Sequence, residues 1–215
     1  MKITSRMLPF EVVREVKDTI RAQVALDRQD LHYLFSSSQG SSHINRLSAI
    51  LEYGAADREL INQAIAEGTI LQGQCYKNCH YCCNMSTRYD VEAFDVLLSY
   101  NFNLEAVKAA YRAGQLLADK EWCGMLEDGL CTINYYKPYT CLLTSPSPKG
   151  AEKGGCCFKG DKNAKTSVHM PTMVVTGRMR MLFKDYLPQL PEFVGRNINQ
   201  AFNWAVHHME VAAKI

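Results

Sequence analysis

A mainly α fold, helical around an irregular cysteine-rich metal-binding centre, is what this sequence predicts. Apolar residues recur at helical spacing through both ends of the chain. No succession of βα units breaks that pattern. The nine cysteines gather between residues 75 and 157, the last five of them in a stretch from Trp122 to Lys165 where Gly, Pro and Lys interrupt every long period. At 215 residues with 47% hydrophobic content, the chain can bury a core without cross-links. Its cysteines therefore call for a chemical explanation.

Residues 10–26 place Val13, Val16, Ile20 and Val24 on one face, opposite Glu11, Arg14, Lys17, Asp18 and Arg21, an amphipathic helix that begins after Pro9. Ser36 to Ser42 reads as a surface loop that could act as a lid. Two helices are expected near 44–53 and 57–68, the second capped by Asp57 and stopped at Gly68. Asp90 is placed to cap a helix through Tyr100, and Asn103 another through Lys120. The apolar side of the latter is Leu104, Val107, Ala110, Tyr111 and Leu117. These two form a helical hairpin between two groups of cysteines. From Trp122 to Lys165 turns dominate. Val168 to Val175 reads as a short strand, demoted to an edge or irregular segment by Pro171. Helices follow over 177–187 and 192–212, the second turning Phe193, Ile198, Ala201, Phe202, Ala205 and Met209 inward. The organisation expected is an N-terminal helical segment (1–73), a cysteine-cluster region with the hairpin (74–165) and a C-terminal helical segment (166–215), packed as one domain.

Charge and targeting signals narrow the partners. A formal charge of +2 and the absence of basic stretches interleaved with aromatics argue against nucleic acid. The amino terminus has no apolar segment of a secretion signal, and no apolar run is long enough for a membrane span. A cytoplasmic protein with no membrane partner is expected. In a reducing compartment, many cysteines in an odd number favour metal or redox chemistry over disulfides.

The chemistry begins with Gln74-Cys75-Tyr76-Lys77-Asn78-Cys79-His80-Tyr81-Cys82-Cys83, where four thiols fall within nine residues. Spacings of x3 and x2 let successive sulfurs converge on one metal while backbone N–H groups turn toward the thiolates. Cys123, Cys131, Cys141, Cys156 and Cys157 follow and are expected to fold back toward them. The candidate metal ligands are Cys75, Cys79, Cys82, Cys83, Cys123, Cys131, Cys141 and Cys156. Adjacent cysteines seldom serve one ion, so Cys83 and Cys157 can equally be small buried apolar residues. Nine cysteines without clean C-x2–4-C pairs suit an iron–sulfur cluster, expected as [4Fe–4S], better than Zn2+, which remains the alternative.

Other residue types read more plainly. His80 is a candidate ligand or a hydrogen-bonding neighbour of one. His207, His208 and Glu210 fit a solvated helix end. His169 fits a surface position, and Met170, Met173, Met179, Met181 and Met209 fit core filling. Tyr135, Tyr136 and Tyr139 around Pro138 are expected to pack over the sulfurs and exclude water. There is no Gly-rich phosphate loop, no nucleophile elbow and no dinucleotide fingerprint.

Two resemblances follow from these motifs. Cys75-x3-Cys79-x2-Cys82 is similar to the three-cysteine loop of radical S-adenosylmethionine enzymes, but its flanks lack the βα units that such enzymes carry. More specifically, Cys123-x7-Cys131 with Ile133, then Pro138 and Cys141, after the Cys82-Cys83 pair and a helix, resembles the zinc- or iron-chelating cysteine-cluster family. This is the YkgJ-type, CxxCxxCC family that includes flagellin lysine-N-methylase, and the resemblance spans 75–157. It departs from the family in the first gap, x3 for x2, and in Asn134, Lys137 and Leu142, where the family has Tyr, Arg and Arg. The sulfur framework is thus kept while the basic groups around it change, so the resemblance implies metal binding more than a relative's activity. Two functions are compatible with it. One is a metal-dependent oxidoreductase or transferase acting on a small molecule or a protein side chain. The other is a non-catalytic, zinc-stabilised protein-interaction module. Nothing in the residues names a substrate.

Overall fold

The computed structural model describes residues 42–66, 83, 90–133, 135–143 and 169–212, which are mainly helical. They fall into two compact units, the first holding 42–66 and 169–190 and the second 83, 90–133, 135–143 and 191–212. The helix expected over 10–26 and the loop 36–41 lie outside the described residues. So do Cys75, Cys79, Cys82, Cys156 and Cys157, and His80.

The first unit packs α1 (His43–Ala66) against α5 (His169–Tyr186). Ser42 starts α1: its carbonyl accepts from Arg46 N–H at 3.1 Å and its hydroxyl from Asn45 N–H at 3.2 Å. The last serine of the low-complexity stretch is thus a helix cap. One helix stands where two were expected, because Gly54 is accommodated as a buried interior residue and Asp57 does not cap. The Asp57 carboxylate instead accepts from Arg178 Nη1 of α5 at 2.5 Å, and the guanidinium lies 5.6 Å from the Tyr53 ring centre. Leu47, Ile50, Leu51 and Ile61 of α1, with Val175, Met179, Leu182 and Phe183 of α5, fill the core of this unit.

The strand expected over 168–175 is helical from His169 onward. Pro171 falls in the first turn, where the N–H it lacks would have no intrahelical acceptor, so the residue that demoted a strand is compatible with a helix start. Met179 is core filling as expected, whereas Met181 is exposed.

The second unit is built on α2 (Ala93–Phe102), whose residues 93–100 are all buried. A helix buried on every face must have neighbours on every face. Packed directly against α2 is α6 (Ile198–Ala212), which also receives α3 (Leu104–Arg112). Val91–Glu92 (β1) pairs antiparallel with Phe193–Gly195 (β4), with an irregularity between Val91 and Glu92. Leu126–Glu127 (β2) pairs with Leu130–Cys131 (β3), and Tyr139–Leu143 forms the short helix α4.

Several expectations change here. Asp90 is exposed, and α2 starts after Glu92, which makes no side-chain cap. Asn103 turns its amide back to the Ser99 carbonyl at 2.7 Å instead of capping α3. The helix expected to reach Lys120 ends at Arg112, because Gly114 takes φ +66, a left-handed conformation that stops a helix at little cost. Leu116 is consequently buried while Leu117 is 48% exposed, the reverse of the helical phase. The final helix starts at Ile198, since Asn197 caps it: its side-chain oxygen accepts from Gln200 N–H at 2.9 Å. Phe193, expected inward on that helix, sits on β4 and is exposed. Ile198, Ala201, Phe202 and Ala205 are buried as expected.

Candidate metal centre

The seven residues between Cys123 and Cys131 are a β-hairpin. Asp128 and Gly129 carry φ 47 and φ 77, both left-handed, as a two-residue I′ turn requires. Cys131 therefore stands opposite Leu126, half-buried. Thr132 closes the ladder, its N–H and hydroxyl both donating to the Met125 carbonyl at 2.9 and 3.0 Å.

Cys123 is buried and held at every polar atom. Its N–H donates to the Cys83 carbonyl at 2.7 Å, and its carbonyl accepts from Leu126 N–H at 3.0 Å. The Met125 N–H lies 3.4 Å from its Sγ. An amide aimed at sulfur is the arrangement that stabilises a thiolate and tunes a sulfur-ligated metal. Cys83, itself buried, thereby ties the end of the first cysteine group to the start of the second.

Gly124 is required beside Cys123 by close approach. A Cβ there would lie 2.6 Å from the Gln115 carbonyl oxygen and 2.8 Å from Leu116 Cδ2. Backbone cannot yield as a side-chain tip can. Gly124→Ala is therefore expected to destabilise the second unit by about 2–3 kcal/mol. Urea unfolding of the variant checks this, and a change under 0.5 kcal/mol would contradict the packing described.

Cys141 is buried in α4, and that helix is held by a carboxylate from elsewhere in the chain. Asp95, buried in α2, accepts from Tyr139 N–H at 2.6 Å, Thr140 N–H at 3.0 Å and the Thr140 hydroxyl at 2.8 Å. The first amides of a helix have no intrahelical acceptors, and Asp95 supplies them. Four residues on, Ser99 donates its hydroxyl to the Tyr136 carbonyl at 2.7 Å. Four further, Asn103 donates to the same carbonyl at 3.2 Å. One polar stripe of a buried helix thus holds the segment leading to Cys141. On α6, Asn199 and Asn203 likewise bind the 116–124 loop. None of Asp95, Ser99, Asn199 or Asn203 stood out as a site residue in the sequence. In α2 the Asp95/Ser99 recurrence at a spacing of four marked a polar line on a mostly apolar helix, without naming its partners.

The tyrosines divide. Tyr139 is buried; Tyr136 stacks on Phe102 with ring centres 4.0 Å apart; Tyr135 is 54% exposed and meets Tyr136 edge-on at 4.6 Å. Lys137 is buried. His207 is exposed with its Nε2 3.2 Å from the Tyr111 hydroxyl, and His208 stacks on Trp204.

Soft thiol donors in a buried setting, one with an amide directed at its sulfur, fit zinc or an iron–sulfur cluster. Among the described residues, no three His, Cys, Asp or Glu side chains converge closely enough to hold a metal ion. The described cysteines are Cys83, Cys123, Cys131 and Cys141. Also among the described residues, no helix is long and apolar enough to cross a membrane. No family model, curated protein or solved structure matches the chain.

Proposed function

We propose that this chain is a metal-binding cysteine-cluster protein related to the CxxCxxCC family, with a centre assembled from both cysteine groups. The donors are drawn from Cys75, Cys79, Cys82 and Cys83 in the first group and from Cys123, Cys131, Cys141 and Cys156 in the second. The observation that carries this reading is the 2.7 Å bond from Cys123 N–H to the Cys83 carbonyl, which sets the last cysteine of the first group beside the first cysteine of the second, both buried. An iron–sulfur cluster, [4Fe–4S] by the Cys75/Cys79/Cys82 spacing, is favoured over zinc. Such a cluster, when bound, supplies electron transfer or an open iron site, which suits a redox or modifying enzyme acting on a small molecule or protein side chain in a reducing, cytoplasmic setting. The chain's own part is to hold the sulfurs, through Asp95 at Cys141 and through the hairpin at Cys123 and Cys131, and to keep water from them.

Burial of Cys83, Cys123 and Cys141 at 5%, 8% and 8% exposure favours a second reading. A closed zinc site saturated by protein sulfurs would fold an interaction module without catalysis. Anaerobic purification followed by metal and sulfide analysis separates the two. Brown protein with iron and acid-labile sulfide is the expected result. Colourless protein with stoichiometric zinc and no sulfide would move the assignment to the second reading, and protein without bound metal would remove both.

A further inference from the structure

We infer that Asn199 is the positioning residue of the Cys123 donor, a role that rests on the metal-binding reading above. Asn199 is fully buried in α6 among Ile198, Ala201, Phe202, Ala205 and Val206, an apolar face on which packing alone would favour an aliphatic side chain. A buried carboxamide is costly unless its donors and acceptor are met. All three of its hydrogen-bond partners belong to one loop. Its Oδ1 accepts from Gly124 N–H at 2.8 Å, and its Nδ2 donates to the Trp122 and Leu117 carbonyls at 3.1 and 3.2 Å.

Trp122 and Gly124 are the immediate neighbours of Cys123. One planar amide that binds the peptide groups on both sides of a residue fixes the backbone dihedrals of that residue, and with them the direction of its Cα–Cβ bond. Cys123 is further tied through its own N–H to Cys83 and through its sulfur to Met125 N–H. Asn199 therefore sets where the Cys123 sulfur points and keeps the Met125 amide on it. One turn along, Asn203 donates to the Leu116 carbonyl at 3.5 Å and supports the same loop. The polar groups of α6 are placed to orient a donor, and loss of a group of this kind typically costs about 10–100-fold in metal affinity.

The test compares wild type, Asn199→Ala and Asn199→Asp with Val206→Ala, a core truncation on the same helix outside this hydrogen-bond set. Asn199→Asp retains the acceptor for Gly124 N–H but cannot donate to the two carbonyls, and it serves if the alanine variant does not fold. Each metal-loaded protein is assayed for thermal midpoint, for the rate of metal loss to excess chelator and for its sulfur-to-metal absorption band, using cobalt-substituted protein if the native metal is zinc. At equal loss of thermal stability, the Asn199 variants are expected to release metal at least about tenfold faster than Val206→Ala. Their absorption band should also move where that of Val206→Ala does not. Release rates and bands that coincide with Val206→Ala would overturn the positioning role while leaving metal binding intact. A wild type that binds no metal would instead overturn both.

Discussion

Asp95→Ala is expected to lower the stability of the second unit by about 3 kcal/mol, since hydrogen bonds to a charged acceptor are worth about 1.5–3 kcal/mol each and are partly redundant here. The carboxylate takes three of them, two from the opening amides of α4. Alanine leaves the Tyr139 and Thr140 N–H groups facing protein without an acceptor and opens space within a fully buried helix. In a unit of this size that loss lowers the melting midpoint by about 9–18 °C. Asp95→Asn keeps one acceptor oxygen but sets an NH2 against an N–H, so an intermediate loss is expected. Thermal and urea unfolding of both variants measure this. An alanine variant within 0.5 kcal/mol of wild type would mean that α4, and Cys141 with it, stands without Asp95.

How much of this was legible depends on the distance over which each residue finds its partner. Ile198, Ala201, Phe202 and Ala205 announced the last helix because their spacing is local and their burial follows from it. The Asp128-Gly129 pair was also a local signal, the strongest available for a two-residue hairpin, yet it lay inside a stretch dominated by Gly, Pro and Lys and passed as one more turn. Asp57 and Pro171 misled in opposite ways. One suggested a helix start where a helix runs on, the other a strand edge where a helix begins. Asp57 is drawn into a pair with Arg178 of another helix, and Pro171 suits a first helical turn as well as it suits a strand edge. Asp95 and Asn199 were out of reach for a different reason. The residues they hold lie 44–45 and 75–82 positions away, and no local pattern encodes such a pairing. The cysteine spacing was plain in the sequence; the polar groups that hold the segments carrying Cys123 and Cys141 became visible only in the fold.

Cys141→Ser carries the second large effect. A site drawn from segments on either side of α2 and α3 contributes its binding free energy to folding, so removing one donor should both lower the metal content and loosen the chain around 123–143. Serine is nearly isosteric with cysteine and leaves the bonds to Asp95 in place, so a change traces to the sulfur and not to the cap. Limited proteolysis is expected to show faster cleavage for Cys141→Ser than for wild type. Cys157→Ser, the apolar bystander of the sequence reading, should change neither property.

Metal per chain in Cys79→Ser, Cys141→Ser and the double variant bears most directly on whether the two groups of cysteines share one centre. A shared centre predicts that each single substitution removes the same complement of metal and that the double variant loses no more than either. Losses that add in the double variant would contradict it and mean two separate centres, and a Cys141→Ser protein that keeps its full metal and its resistance to protease would contradict it and assign the centre to the first four cysteines alone.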